Sequence, residues 1–175
     1  YDISRGLVAY RVTLPARRFQ HAGRARGQGD AVRVRDLAWV QVDGKAVGTF
    51  DTRYRRYKVD IPARSKPAVV EILLYTIARV NFGPEVHDRK GLHGPVTFTP
   101  KGARAQPLEH WEIRALDFDA DGTLPPLAFK KGRVKGAAFW RGGFDAARTD
   151  DTFLDMSAWG QGVVWVNGRC LGRFW

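Results

Sequence analysis

Sulfur is nearly absent from this chain: Cys170 is the one cysteine and Met156 the one methionine among 175 residues. A single thiol excludes an intrachain disulfide and has no partner for a thiolate metal cage, so Cys170 reads as a small packing residue. Glutamate is also scarce, confined to Glu71, Glu85, Glu109 and Glu112. Paired-carboxylate catalysis needs two acids about 5 to 9 Å apart, one often with a raised pKa. None of the four stands in such a setting, because Glu71 falls in an apolar strand and Glu109 and Glu112 flank Trp111. No run approaches the ~18 apolar residues of a membrane-spanning helix. Neither a nucleophile elbow nor a phosphate-binding glycine loop with lysine is present. His21, His87, His93 and His110 lack both helical i, i+4 spacing and cysteine companions, which argues against zinc. The sequence starts at Tyr1 without a basic or apolar leader, in mid-pattern, so the missing targeting signal carries no information about compartment.

What is present is strand. Hydrophobic residues make up 44% and aromatics 12%, ample for a packed core. Leu7 to Leu14, Ala38 to Val42, Val69 to Ile77 and Gly162 to Val166 are short, β-branched or aromatic, and bounded by turn residues. No helix of ordinary length is evident. The pattern predicts further strands over Tyr57 to Ile61 and Val96 to Thr99. Asp43-Gly44 and Asn167-Gly168 each lie between apolar pairs, and both dipeptides accept the positive φ angles of a two-residue hairpin. Moreover, VQVDGKAVGTF at 40–50 aligns without a gap on VWVNGRCLGRF at 164–174, an offset of 124. This reads as one duplicated sandwich unit, the plainer alternative being hairpin chemistry common to β proteins. The first copy is followed by more strands and the second is not, so the second sandwich is expected to be cut short.

The expected division is a first β-sandwich over 1–106, a connecting segment and linker over 107–135, and a partial second sandwich over 136–175. Asp119 to Lys135 has a linker composition, and Ala16 to Asp30 reads as a loop with little to bury. DFDADG at 117–122 opens like a calcium loop, but Ala128 stands where the bidentate glutamate belongs, so a solvated acidic linker is the better reading. Lys and Arg total 29 against 18 acids, a net charge of +11. The basic clusters at Arg17 to Arg35 and Arg53 to Lys58 read as solvated outward faces of antiparallel strands rather than as a nucleic-acid surface. Most of the six tryptophans belong to a core; Trp159, beside Gly160, is the one placed in a loop.

DTFLDMSAWGQGVVWVNGRCLGRFW at 151–175 resembles the C-terminal β-sandwich of family 35 glycoside hydrolases, the β-galactosidases. AYRVTLP at 9–15, WVQVDGKAVGTF at 39–50, ARVNFG at 78–83 and DRKGLHGPV at 88–96 are similar to the preceding sandwich of that family, in the same order, and AFWRGGF at 138–144 resembles the strand opening the second. The resemblance implies an all-β fold of antiparallel, galactose-binding-domain-like jelly rolls following a (β/α)8 barrel. That barrel would be the partner, in the same polypeptide, and would hydrolyse terminal β-linked galactose with retention through two glutamates that have no counterpart here. The segment itself is then a structural module, inactive alone, with no cofactor, metal, membrane span or nucleic-acid partner. A free-standing carbohydrate-binding module is the alternative. A periplasmic, extracellular or lysosomal location is what the family implies. Arg79, Asn81, Phe82, Asp88 and Lys90 are the candidate barrel-facing residues, and Trp159 the candidate sugar contact. Against this, Asn81 with Gly83 has a plainer role in shaping a turn, and Asp88 with Arg89 or Lys90 in a local ion pair.

Overall fold

The computed structural model describes residues 5–15, 23–27, 34–116, 127–134 and 136–175. The calcium-like DFDADG, most of the expected linker and much of the arginine-rich stretch before Val34 lie outside the described residues. Two compact units divide the chain, Tyr1–Asp117 and Phe118–Trp175.

The described residues form antiparallel sheets and no α-helix. In the first unit the strands are β1 (Arg5–Leu14), β2 (Gly23–Gly27), β3 (Val34–Arg35), β4 (Leu37–Val42), β5 (Lys45–Asp51), β6 (Lys58–Ile61), β7 (Ala68–Ile77), β8 (Gly91–Leu92), β9 (Val96–Pro100), β10 (Gln106–Pro107) and β11 (Glu112–Leu116). A five-stranded sheet runs β11-β1-β7-β4-β5 and a four-stranded sheet β10-β9-β2-β6, with β3 and β8 as a separate pair. Strand β11 lies in the stretch expected from sequence to be connector; it pairs with β1 from Leu7↔Leu116 to Arg11↔Glu112.

Alternation decides which residues meet. Val12 and Leu14 of β1, Ala38, Val40 and Val42 of β4, and Val70, Ile72 and Leu74 of β7 are buried, as are Val59 and Ile61 of β6 and Val96 and Phe98 of β9. All join one apolar cluster, so the two sheets share a core. The outward positions are partly polar: Arg11 is the register partner of both Glu112 and Glu71, a rung of alternating charge. These two glutamates are thus accounted for by sheet pairing.

One stretch expected as loop is strand. Gly23–Gly27 (GRARG) pairs with β6 on one side and β9 on the other. Nothing in its composition signals this, because a central strand is held by backbone hydrogen bonds to both neighbours, and tertiary pairing overrides weak intrinsic preference.

The second unit contains β12 (Gly162–Val166) and β13 (Arg169–Phe174), paired as a hairpin. Residues 138–144, expected to open a sandwich as a strand, carry no regular structure. No described residue of this unit is buried. Its hairpin nevertheless repeats the first in detail. Asp43 and Gly44 have φ of 49° and 73°, Asn167 and Gly168 of 49° and 83°. Both ladders slip at the same place, from Val40↔Gly48 to Gln41↔Ala46 in one and from Val164↔Gly172 to Trp165↔Cys170 in the other. The extra residue is Val47 or Leu171, each 124 positions from its counterpart, and the bulge tightens the twist of both ribbons.

Candidate functional site

Strand β7 ends at Ile77, and Ala78, with φ of 80°, turns the chain out of the sheet into a loop that returns only at β8. This loop contains five of the six candidate residues. A cluster of charges beneath it fixes its course. The Asp36 carboxylate, in the bend between β3 and β4, accepts the Ile77 N–H at 2.9 Å and the Lys90 ammonium at 2.9 and 3.0 Å. Lys90 also donates to Asp88 at 3.3 Å. Arg35 reaches the other Asp88 oxygen through Nε at 2.9 Å and Glu85 through a terminal nitrogen at 2.9 Å. The side chains of Lys90 and Asp88 are each only 7% exposed, so these charges sit in a shielded environment where an unpaired group is strongly destabilising. Backbone bonds from Val86 N to Gly83 O and from Asp88 N to Glu85 O fold the loop's tip into tight turns.

Asp88 and Lys90 are therefore brought together, facing inward and satisfied by each other, Asp36 and Arg35. Arg79 and Asn81 are exposed, and the Phe82 ring is 89% exposed, beside the exposed Val80 and Val86. The same loop walls a cavity of about 380 Å³, lined by Arg35, Glu85, His87, Asp88, Arg89 and His93 among others. His93 is fixed by its ring nitrogen, 2.6 Å from the Arg89 carbonyl. Near β8, the Tyr10 hydroxyl is pushed above its usual pKa by burial, an effect partly offset by its hydrogen bond with the Leu92 backbone. Trp159, the sixth candidate, belongs to the second unit, half-exposed, its ring edge-on to Trp140 at 5.9 Å. Among the described residues no group of three or more His, Cys, Asp or Glu is placed to hold a metal.

Three members of the cluster, Arg35, Asp36 and Glu85, do not stand out in the sequence. Arg35 reads there as part of a solvated strand face; in the structure its side chain is 14% exposed and engaged by two carboxylates. Partners some 50 residues apart leave no local signal. The second basic cluster also departs from the strand expected for it. Thr52–Tyr54 is a 3-10 turn, Arg55 follows in the left-handed region at φ 50°, and the strand begins only at Lys58.

Asp51 opens that turn, buried, with Arg53 bound to both its oxygens at 2.9 and 2.6 Å. The Arg53 hydrogen bonds hold its carboxyl below the ordinary range against the opposing effect of burial. A depressed folded-state pKa adds stability above the unfolded value of about 3.9, lost as pH falls through the folded value. Arg53→Ala is expected to flatten this dependence, seen as a smaller drop in melting temperature between pH 5 and pH 3 than the unsubstituted chain shows.

Comparison with known proteins draws the geometry together. Residues 2–117 match the family model described as β-galactosidase, first all-beta domain, and residues 137–175 the one described as β-galactosidase, galactose-binding domain. The chain belongs to the family 35-like β-galactosidases. Among curated β-galactosidases it is 30% identical to that of Xanthomonas manihotis over 171 residues, covering 97% of this chain and 26% of the relative. It is 30% identical to the Felis catus enzyme over 193 residues, with 97% and 27% covered, and 29% identical to the Homo sapiens enzyme over 190, with 97% and 26%. The chain thus spans about a quarter of the length of these β-galactosidases. It corresponds to their all-β and galactose-binding domain region, and the braced loop over 78–90 lies wholly within the first of the two matched domains.

Proposed function

We propose that this chain is the non-catalytic region of a β-galactosidase that hydrolyses terminal β-D-galactosyl residues with retention, and that it braces a (β/α)8 barrel of the same polypeptide. The observation that carries this reading is the loop over 78–90, pinned by the Asp36–Lys90–Asp88–Arg35 cluster while Phe82 stands 89% exposed. A shielded ion cluster holds a loop in one conformation, and rigid presentation of an apolar ring lowers the entropy lost on docking. Arg79, Asn81 and Phe82 are the barrel-facing contacts in this reading; Asp88 and Lys90 position them from inside.

The sheets of the first unit are, in this proposal, a galactose-binding-domain-like jelly roll, and the β12–β13 hairpin belongs to a second sandwich of the same kind. The matching bulges 124 residues apart support this, as does the lack of buried side chains among the described residues of the second unit, whose apolar groups need a cover. A location outside the cytoplasm, periplasmic, extracellular or lysosomal, goes with the reading. No helix among the described residues is long and apolar enough to cross a membrane.

The direct test is hydrolysis of a chromogenic β-galactoside by the 175-residue chain alone. No turnover above buffer is expected, since neither member of a catalytic carboxylate pair is identified among its residues. Turnover that survives repurification would show that the chemistry lies inside the chain and overturn the proposal.

A further inference from the structure

The connection from β5 to β6 concentrates positive charge beyond what the fold uses. Between residues 53 and 58 stand Arg53, Arg55, Arg56 and Lys58, with no acid among them. Two of the four also serve the fold, since Arg53 binds Asp51, while Arg56 helps hold the Asp51 carboxyl ionised by its charge and lies over the Tyr54 ring. Among the described residues no salt bridge involves Arg55, Arg56 or Lys58, and all three are exposed. Like charges packed into a six-residue stretch repel one another, and the repulsion weakens the compact state. Alternation on an outward strand face accounts for Lys58, which opens β6, but not for Arg53 to Arg56, because residues 52–56 are a turn.

That turn is held rigid. Asp51 and Arg56 exchange backbone hydrogen bonds at 2.8 and 2.9 Å, and the Arg55 N–H donates to the Thr52 carbonyl at 3.2 Å. The Thr52 hydroxyl donates to the Val34 carbonyl, and the Thr52 N–H to the Asp36 carbonyl at 3.1 Å, tying the turn to the segment that bears the ion cluster. At its tip the Tyr54 ring, 64% exposed, has the guanidinium carbons of Arg53 and Arg56 at 5.3 and 5.2 Å from its centre. The ring orients the arginine heads as cation–π partners.

We infer that the turn over 52–56, together with Lys58 at the start of β6, binds the sulfate or carboxylate groups of an acidic glycan. Guanidinium forks match these planar or tetrahedral oxyanions with paired hydrogen bonds, and a preformed turn conformation keeps the ordering cost low. Single-stranded nucleic acid fits less well, since it is gripped by successive stacked bases and the exposed ring of this turn is already flanked by cations. The inference rests on the β-galactosidase reading only for the choice of a saccharide as carrier of the anions.

The test uses the whole chain, with a sulfated galactan oligosaccharide as probe and a neutral galactan of equal length and single-stranded RNA as comparators. Affinity for the sulfated probe is expected to exceed that for either comparator, and to weaken at least tenfold in a triple variant, Arg55→Asn, Arg56→Ser and Lys58→Ser, which leaves Arg53 on Asp51. A variant carrying Lys130→Ser, Lys131→Ser and Arg133→Ser removes equal charge elsewhere and is expected to bind as before. On the unsubstituted chain, bound probe should protect Arg55 and Arg56 from phenylglyoxal but not Arg133 or Arg141, a readout independent of how the variants fold. Equal losses in the two triple variants, tighter binding of RNA, absence of binding, or uniform modification would each overturn the inference. None of these results bears on the proposed non-catalytic role, which is read separately from turnover of a chromogenic β-galactoside by the chain alone.

Discussion

Lys90→Met is expected to lower the stability of the first unit by about 3 to 5 kcal/mol, because it leaves the Asp36 and Asp88 carboxylates facing each other without their shared cation. Methionine keeps much of the lysine stem's bulk, so the loss reports charge rather than a cavity. Arg35 still pairs with Asp88, but Asp36 keeps only the Ile77 N–H. The measurement is chemical denaturation of the chain with and without the substitution. Pairing Lys90→Met with Asp36→Asn should recover part of the loss, since contacting charges couple non-additively. A Lys90→Met chain as stable as the unsubstituted one would mean that the cluster does not hold the loop.

Phe82→Ala carries the second large effect, and it falls on a different quantity. The ring is almost fully exposed, so its removal should leave the melting temperature of the chain within a degree or so of its starting value. Under the proposed reading, in which the ring docks on a barrel of the same polypeptide, its burial would contribute about 1.5 to 3 kcal/mol. Its loss is therefore expected to reduce kcat/KM on a β-galactoside by roughly 10- to 100-fold if the contact shapes the substrate site. Kinetics and thermal melts of the two proteins in parallel separate this from general destabilisation. Unchanged kinetics and unchanged interdomain stability would remove Phe82 from the set of barrel contacts.

These two residues show where sequence reading succeeds and where it stops. The family resemblance singles out RVNFG and DRKGL as candidate barrel-facing segments, and the structure places RVNFG and Asp88 to Lys90 on the one connection between β7 and β8. Their division of labour is invisible in the sequence: Phe82 points out while Asp88 and Lys90 point in, an assignment that depends on Asp36 lying under the loop. The plainer alternative for Asp88, an ion pair with Lys90, is present at 3.3 Å, but shielded from water rather than exposed, which raises its energetic weight. Likewise GRARG offers no apolar alternation, yet it occupies the interior of a four-stranded sheet, because its neighbours supply the hydrogen bonds.

By itself the sequence determined the all-β class of fold, the two hairpins and the likeness of their turns. Strand alternation and the positive-φ preferences of Asp-Gly and Asn-Gly are local properties, written within a few residues of where they act. Tertiary structure alone decided which side chains the charges at Arg35, Asp36, Glu85, Asp88 and Lys90 would serve, that Arg53 to Arg56 form a turn rather than a strand face, and that β11 closes an edge of the first sheet. Each of those depends on groups tens of residues apart arriving at one place, and Coulomb attraction and ladder pairing act through space without regard to spacing along the chain.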